Sequence, residues 1–98
     1  MGPSEVRRLL SELRNSPKVV GIRQLRKALA RGEILRVFLA EDADPALTEP
    51  LSAQSAEQGV PVDWVPTMRE LGAACGITVG ASAAGLRRAE SEGSSANP

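Results

Sequence analysis

Apolar residues recur along this chain at two different spacings, and each spacing predicts a type of secondary structure. In residues 6–13 and again in residues 22–29 they return every three to four positions, as on one face of a helix. Gly32 follows the second of these segments, at the position where a glycine commonly ends a helix. Residues 35–40 are mostly apolar without alternation, which is typical of a central strand covered on both faces. The pattern therefore predicts amphipathic helices alternating with buried strands.

The remaining segments extend this alternation to the C-terminal part of the chain. We expect three more strands, at residues 18–20, 61–66 and 81–86, and two more helices, at residues 48–58 and 67–75. Thr67 and Glu70 form a capping box at the start of the last helix. The resulting order, α-β-α-β-α-β-α-β with short connections, predicts a three-layer α/β/α sandwich of four helices and four strands. We expect one domain over residues 1–86 and a disordered polar tail over residues 87–98.

The residue types present argue against catalysis. The 98 residues include no histidine, so the commonest general base and the commonest transition-metal ligand are both missing. Cys75 has no second cysteine to pair with, and its place late in an apolar helix indicates a buried structural thiol. The acidic run at residues 41–44 lacks the ligand spacing of a calcium loop, and Asp44 with Pro45 indicates a turn or a helix start. We predict that the protein is not an enzyme and has no catalytic residues, metal site or cofactor.

The chain also shows no apolar run long enough to span a bilayer and no apolar signal region at its start. We therefore expect a cytoplasmic protein without a membrane partner. Its net charge is zero, but the charges are unevenly distributed: residues 7–36 hold nine basic and two acidic residues, whereas residues 41–63 hold six acidic residues and no basic one. A molecule with a basic and an acidic region can still attract phosphate groups.

The second predicted helix carries most of this basic character. Arg23, Lys27 and Arg31 follow at four-residue intervals and form one ridge, beside Arg26 and Gln24 and opposite the apolar face. Such a ridge can contact phosphates. The helix follows Gly21, so its first N–H groups can face a phosphate or a base edge. The alternative is an ordinary solvated helix face, which composition alone favours.

A second candidate is the short segment of Ile77, Thr78 and Val79, which follows the helix-ending Gly76. Apolar side chains in a loop can pack against an extruded RNA base. The alternative is that Ile77 packs on the core and closes the helix end, with Val79 undecided between the two. Trp64, within a short strand, is expected to be packed in the core or half-buried.

Taken together, four segments resemble the ribosomal L-seven-Ae-like family of kink-turn RNA-binding proteins, and most closely its small bacterial members. The resemblance covers about residues 5–86, and its segments are Gly21-Ile22-Arg23-Gln24-Leu25-Arg26-Lys27-Ala28, Arg31-Gly32, Ala40-Glu41-Asp42-Ala43-Asp44-Pro45 and Glu70-Leu71-Gly72-Ala73-Ala74-Cys75-Gly76-Ile77. It implies an α/β/α sandwich that holds a sharply bent RNA stem with a three-nucleotide bulge and tandem sheared G·A pairs.

The resemblance also implies roles for individual residues. Arg23 and Gln24 match positions that contact the guanines of the G·A pairs, and Lys27 and Arg31 match positions that contact phosphates. The loop at residues 77–79 matches the one that covers the bulged nucleotides. Archaeal and eukaryal members typically carry Asn and Glu at the positions of Arg23 and Gln24, whereas bacterial members often carry a basic residue and Gln. We expect a monomer that binds structured RNA, with a possible place on the ribosome; the alternative is a protein-interaction module that uses the acidic surface or the Trp64 region.

Overall fold

The computed structural model describes residues 3–88. Four helices and four strands alternate along them: α1 (Pro3–Asn15), β1 (Lys18–Val20), α2 (Ile22–Ala30), β2 (Ile34–Ala40), α3 (Pro45–Glu57), β3 (Val62–Val65), α4 (Met68–Ala74) and β4 (Ala83–Arg87). The predicted order of elements is confirmed. No helix within the described residues combines the length and apolar character needed to cross a membrane.

The strands form one mixed sheet in the order β1-β4-β2-β3. β4 runs antiparallel to both of its neighbours, β1 and β2, whereas β2 and β3 are parallel. Consequently β1, β2 and β3 finish at the end of the sheet where β4 begins. We call this the upper end and the opposite one the lower end. Helices α2, α3 and α4 all begin at the upper end, because each follows one of the three parallel strands.

Side chains from the two faces of the sheet enter two separate cores. Phe38 packs with Leu13 of α1 and Leu71 of α4 on one face. Leu39, the next residue along β2, packs with Leu25 of α2 and Leu51 of α3 on the other. This alternation follows from the two-residue period of a strand. The two helical layers enclose the sheet, which confirms the three-layer α/β/α sandwich.

β4 is built from small residues because it lies in the interior of the sheet, between β1 and β2. Alanine and glycine are poor strand formers by propensity. Here small residues leave room for the neighbouring side chains, because a Cβ added to Gly85 would lie 2.7 Å from Leu25 Cδ1 and 3.1 Å from Ile34 Cγ2. The glycine therefore lets α2 sit close to the sheet.

Helix α3 begins three residues earlier than the pattern predicts. Asp44 is its N-cap, with Oδ1 accepting a hydrogen bond of 3.0 Å from the Ala46 N–H, and Pro45 occupies the first helical position, which favours proline. Pro50 consequently lies inside the helix and not in its first turn. Without an N–H it cannot donate to Ala46 O, four residues before it.

The C-terminal boundary also differs from the expected one. β4 runs through Arg87, whose N–H donates to Pro17 O at 2.9 Å, and the Arg88 N–H donates to Glu33 O at 2.9 Å. The domain therefore extends at least to Arg88, beyond the expected limit at residue 86. These bonds join segments far apart in sequence, so no local pattern marks them. The rest of the expected tail, residues 89–98, lies outside the described residues.

Candidate nucleic-acid interface

Gly21 fixes where α2 begins. Its N–H donates to Ala83 O of β4 at 3.0 Å, and its carbonyl accepts from the Leu25 N–H at 3.0 Å. Its φ of 110° lies in the range that side chains disfavour, so a glycine is needed at this position. The contact of Gly21 with β4 is therefore structural, and its own N–H is not available to a ligand.

The first turn of α2 has no side-chain cap. Helix N-termini leave N–H groups without intrahelical partners, and these together carry a partial positive charge. Gln24 folds back over this turn, with its Oε1 3.2 Å from the position that a Cβ on Gly21 would occupy. No acidic residue lies in the first turn. The start of α2 can thus receive an anion or a hydrogen-bond acceptor.

All five polar residues that the sequence singled out on α2 are exposed: Arg23, Gln24, Arg26, Lys27 and Arg31. The opposite side of the helix is buried in the core through Leu25, Ala28 and Leu29. None of the four cations forms a salt bridge with another residue in the described part of the chain. The helix thus separates packing and charge onto two sides, as its sequence pattern predicts.

The loop between α4 and β4 lies tightly against α4. Gly76 has a φ of 82°, and the Ile77 N–H donates to Gly72 O at 3.1 Å, so the helix ends in a Schellman motif. The loop then returns along α4 until the Ala81 N–H donates to Met68 O at 2.9 Å. A Cβ on Gly72 would lie only 2.0 Å from Val79 O. This close approach fixes the loop.

Held in this way, the loop presents its side chains to solvent. Val79 is 68% exposed and Ile77 is 37% exposed, and Thr78 is exposed as well. Val79 is therefore not part of the core, and Ile77 packs only in part, which differs from the closed helix end that periodicity favoured for Ile77. An exposed apolar loop with fixed backbone can offer a surface to a flat apolar group such as a nucleobase.

The two candidate regions lie at the same end of the sheet. The Gly21 N–H bonds to Ala83 O, and Ala83 follows the loop by three residues after Gly80. The start of α2 and the loop are therefore neighbours although they are more than fifty residues apart in sequence. Arg31, at the C-cap of α2, lies toward the lower end. The arrangement is an uncapped basic helix start beside an exposed apolar loop.

The acidic residues near the upper end serve the other two helices. Asp42 Oδ1 accepts a hydrogen bond of 2.8 Å from the Met68 N–H at the start of α4, where Thr67 Oγ1 also accepts one of 3.0 Å from the Glu70 N–H. Asp44 caps α3. No cluster of three or more His, Cys, Asp or Glu suited to a metal occurs in residues 3–88. These carboxylates have a structural role as helix caps.

Cys75 is buried against the core on the α1–α4 face. Burial raises the pKa of its thiol, and the charge of Lys18 opposes this only in part. A thiol with a raised pKa is a poor nucleophile at neutral pH, which supports the structural role predicted from the sequence.

Trp64 is half-buried, which is one of the two arrangements expected. It lies on the edge strand β3 and is 41% exposed. Its neighbour Asp63 pairs with Arg36 of the adjacent strand β2. The next residue of the same strand, Val65, is fully buried in the core on the α1–α4 face, so the exposure is confined to the opposite face of β3.

Comparison with known proteins identifies the family. The model of the ribosomal protein L7Ae/L30e/S12e/Gadd45 family matches residues 4–94. The chain belongs to this family. Its relatives include the RNA-binding protein YbxF of Geobacillus stearothermophilus, 44% identical over 70 residues that cover 71% of this chain and 85% of YbxF. The large ribosomal subunit protein eL8 of Methanobrevibacter smithii is 34% identical over 77 residues, 76% of this chain and 63% of eL8.

The fold of the family is also seen in solved structures. A Giardia lamblia 15.5kD RNA-binding protein superposes with a TM-score of 0.85 at 23% identity, over 96% of this chain and 82% of its own. At this identity the likeness concerns the fold alone. The family and these relatives are ribosomal or RNA-binding proteins and not enzymes, which confirms the prediction that this chain is not an enzyme.

Proposed function

We propose that this protein binds structured RNA of the kink-turn type, without catalysis, through the start of α2 and the loop after α4. Membership of a ribosomal protein family and relatives named as RNA-binding proteins support an RNA partner. The observation that carries the proposal is the Gly21–Ala83 hydrogen bond, which holds an uncapped basic helix start beside an exposed apolar loop.

Within this site the residues divide by what they can contact. Arg23 and Gln24 lie in the first turn of α2. An RNA groove placed against the start of this helix would be within reach of their side chains. A guanidinium or an amide can read a base edge by paired hydrogen bonds. Gln24 already lies over the helix start, close to the free N–H groups. We assign these two residues to the guanines of the G·A pairs.

Lys27 and Arg31 lie one and two turns further along the same helix. Their exposed cations would hold the phosphate backbone, with Arg26 beside them. Ile77, Thr78 and Val79 would cover the bulged nucleotides, because a fixed apolar surface compensates for the loss of base stacking. Gly21 contributes through the backbone geometry that it permits.

A gel-shift titration tests the function directly. One duplex contains the three-nucleotide bulge and tandem G·A pairs, and the control replaces those pairs by Watson–Crick pairs. We expect the kink-turn to bind at least tenfold more tightly at 0.15 M salt. Equal affinity for the two duplexes would rule out the specific function.

Two variants separate the roles within the site. Lys27→Gln removes a phosphate contact, so it should weaken binding to both duplexes by a similar factor of about five to ten. The slope of log affinity against log salt should fall by about one. Gln24→Ala should instead reduce the ratio of the affinities for the kink-turn duplex and its control. An unchanged ratio in Gln24→Ala would show that this residue does not read the G·A step.

The exposure of Trp64 supports a second function, protein binding through the α3–β3 side of the molecule. Large exposed aromatic side chains are frequent anchors at protein interfaces. A complex that survives nuclease treatment in the wild type and is lost in Trp64→Ser would support it. Retention of the same complex by Trp64→Ser would exclude Trp64 as its anchor.

We further propose that the protein acts in the cytoplasm as a monomer and associates with ribosomal RNA. Sucrose-gradient sedimentation of a cell extract tests the last point, because a ribosomal component moves with a subunit and a free RNA-binding protein remains near the top. Light scattering of the purified chain tests the monomer.

A further inference from the structure

We propose that the RNA-binding surface continues along the whole of α2 and ends in a second anchor at the lower end, formed by Arg31 together with Arg88. This inference rests on the proposed function and adds Arg88, which the sequence pattern did not single out. It also gives the direction in which the RNA stem leaves the G·A site.

The position of Arg88 is fixed by two hydrogen bonds to the segment that ends α2. Its N–H donates to Glu33 O at 2.9 Å, and its Nε donates to Gly32 O at 3.0 Å. Gly32 directly follows Arg31, the C-cap of α2. Arg31 and Arg88 are therefore neighbours at the C-terminal end of α2, and both are exposed, although they are 57 positions apart in sequence.

Arg88 keeps most of its binding capacity in this position. A guanidinium has five N–H donors, and the bond to Gly32 uses only the one on Nε. Its terminal nitrogens have no partner elsewhere in residues 3–88, and the residue is exposed. A planar pair of donors of this kind fits a phosphate group. Glu33, whose carbonyl accepts from the Arg88 N–H, makes no salt bridge with Arg88 within the described chain.

The charges around the sheet indicate the direction of the stem. At the upper end, Glu41, Asp42 and Asp44 follow β2, and the carboxylates of Asp42 and Asp44 lie at the starts of α4 and α3 and not at the start of α2. Along α2 the exposed side carries Arg23, Lys27 and then Arg31. A polyanion that starts at the uncapped end of α2 is therefore guided along the helix toward the lower end.

The distance suits a duplex. Eight residues separate Arg23 from Arg31, which corresponds to about 12 Å along the helix axis. The axial spacing is about 3.4 Å per nucleotide in each strand of double-stranded DNA, and an A-form RNA duplex is somewhat more compact, so this distance spans about four nucleotides and the reach of Arg88 adds one or two more. We therefore expect the second anchor to contact phosphates about four to six nucleotides from the G·A pairs.

Phosphate-ethylation interference on a kink-turn RNA with two stems of about twelve base pairs tests this prediction with the wild-type chain. Interference should occur at the G·A step and again about four to six nucleotides away in one stem. If interference occurs at the G·A step alone, the second anchor does not exist while the proposed function stands. If the RNA binds without selectivity over its Watson–Crick control, both proposals fail.

Variants then assign the distant signal to Arg88. In Arg88→Gln the distant interference should disappear, and the slope of log affinity against log salt should fall by about one, as for one lost phosphate contact. Arg88→Lys keeps the charge without the Nε bond and should keep the slope. Arg8→Gln, an exposed arginine on the opposite helical layer, is the matched control and should change neither. An unchanged pattern in Arg88→Gln would overturn the assignment.

Discussion

The starts of α2 and α4 lie at the same end of the sheet, but side chains cap the start of α4 and leave the start of α2 uncapped. At α4, Thr67 and Asp42 both accept hydrogen bonds from N–H groups of the first turn. At α2, Gly21 has no side chain to offer, and the first turn contains no acidic residue. A helix start that the protein caps by itself contributes to stability, whereas one left open has its N–H groups available to a partner.

The surroundings of the two helix starts differ in the same sense. α4 begins beside the carboxylates of Asp42 and Glu70, which offset its positive end and the charge of Arg69, whereas α2 begins with exposed arginines and no carboxylate. We infer that the α4 side is a rigid support and that the α2 side is the binding surface. Three substitutions test this division, and they are described from the largest expected effect to the smallest.

Gly72→Ala should have the largest effect, which we expect on the stability of the α4 side of the molecule. Alanine in a helix interior normally stabilises by about 1 kcal/mol relative to glycine. Here the new Cβ would lie 2.0 Å from Val79 O, so the loop must move, and we expect the free energy of unfolding to fall by about 2–3 kcal/mol. RNA affinity should fall with it, because the loop at residues 77–79 is displaced.

Urea denaturation measures the effect of Gly72→Ala, with Ser52→Ala in α3 as a control without a predicted clash. A stability equal to or above that of the wild type would show that the close approach of the loop to α4 is not a constraint.

Arg23→Glu should act on the binding surface and leave the support intact. Reversing the charge at the open helix start should weaken kink-turn binding by about 2–3 kcal/mol, roughly a hundredfold, since a base contact is lost and a repulsion is added. Stability should stay within about 0.5 kcal/mol of the wild type or rise slightly, because an acidic residue in the first turn is favourable to the helix.

A gel shift and a thermal melt on the same preparation of Arg23→Glu measure both quantities. Arg8→Glu on α1 carries the same change of charge away from the site. A comparable loss of affinity in Arg8→Glu would mean that net charge, and not the start of α2, determines binding.

Thr67→Ala should give the smallest effect, on stability alone. It removes a side-chain cap, for which we expect a loss of about 1 kcal/mol in the free energy of unfolding. Asp42 still accepts from the Met68 N–H, so the helix start remains partly capped. RNA affinity, measured by titration well below the melting temperature, should be unchanged; a tenfold loss would mean that the α4 start itself contacts RNA.

Local features of the sequence predicted much of this fold. The cap at Thr67 and the helix end at Gly32 were expected, and both involve partners within four or five residues along the chain. Asp44 was expected only at a turn or a helix start. The structure places it as the cap of α3, which begins at Pro45, three residues before the predicted start. Pro50 lies inside the helix, whereas the expected start at residue 48 would have placed it in the first turn, where proline is tolerated.

The candidate site was predicted only in part. The exposure of the five polar residues on α2 follows from the amphipathic pattern, since the opposite face must be buried. The exposure of Val79 did not follow, because it depends on how Gly72 admits the returning loop. Trp64 was expected in the core or half-buried, and only the structure decides between the two: it is half-buried on the edge strand β3.

The sequence by itself determined the order of the elements, the family, the basic side of α2 and the lack of a histidine-based site, because each depends on residue type or on spacing within one or two turns. The tertiary structure decided which distant groups meet. It placed the loop after α4 beside Gly21, assigned the Asp42 carboxylate to the start of α4 and fixed Arg88 at the end of α2. These contacts arise from the strand order β1-β4-β2-β3, which brings β4 from the end of the chain to the interior of the sheet. Local periodicity carries no information about that order, because strands with the same pattern could pair in several ways.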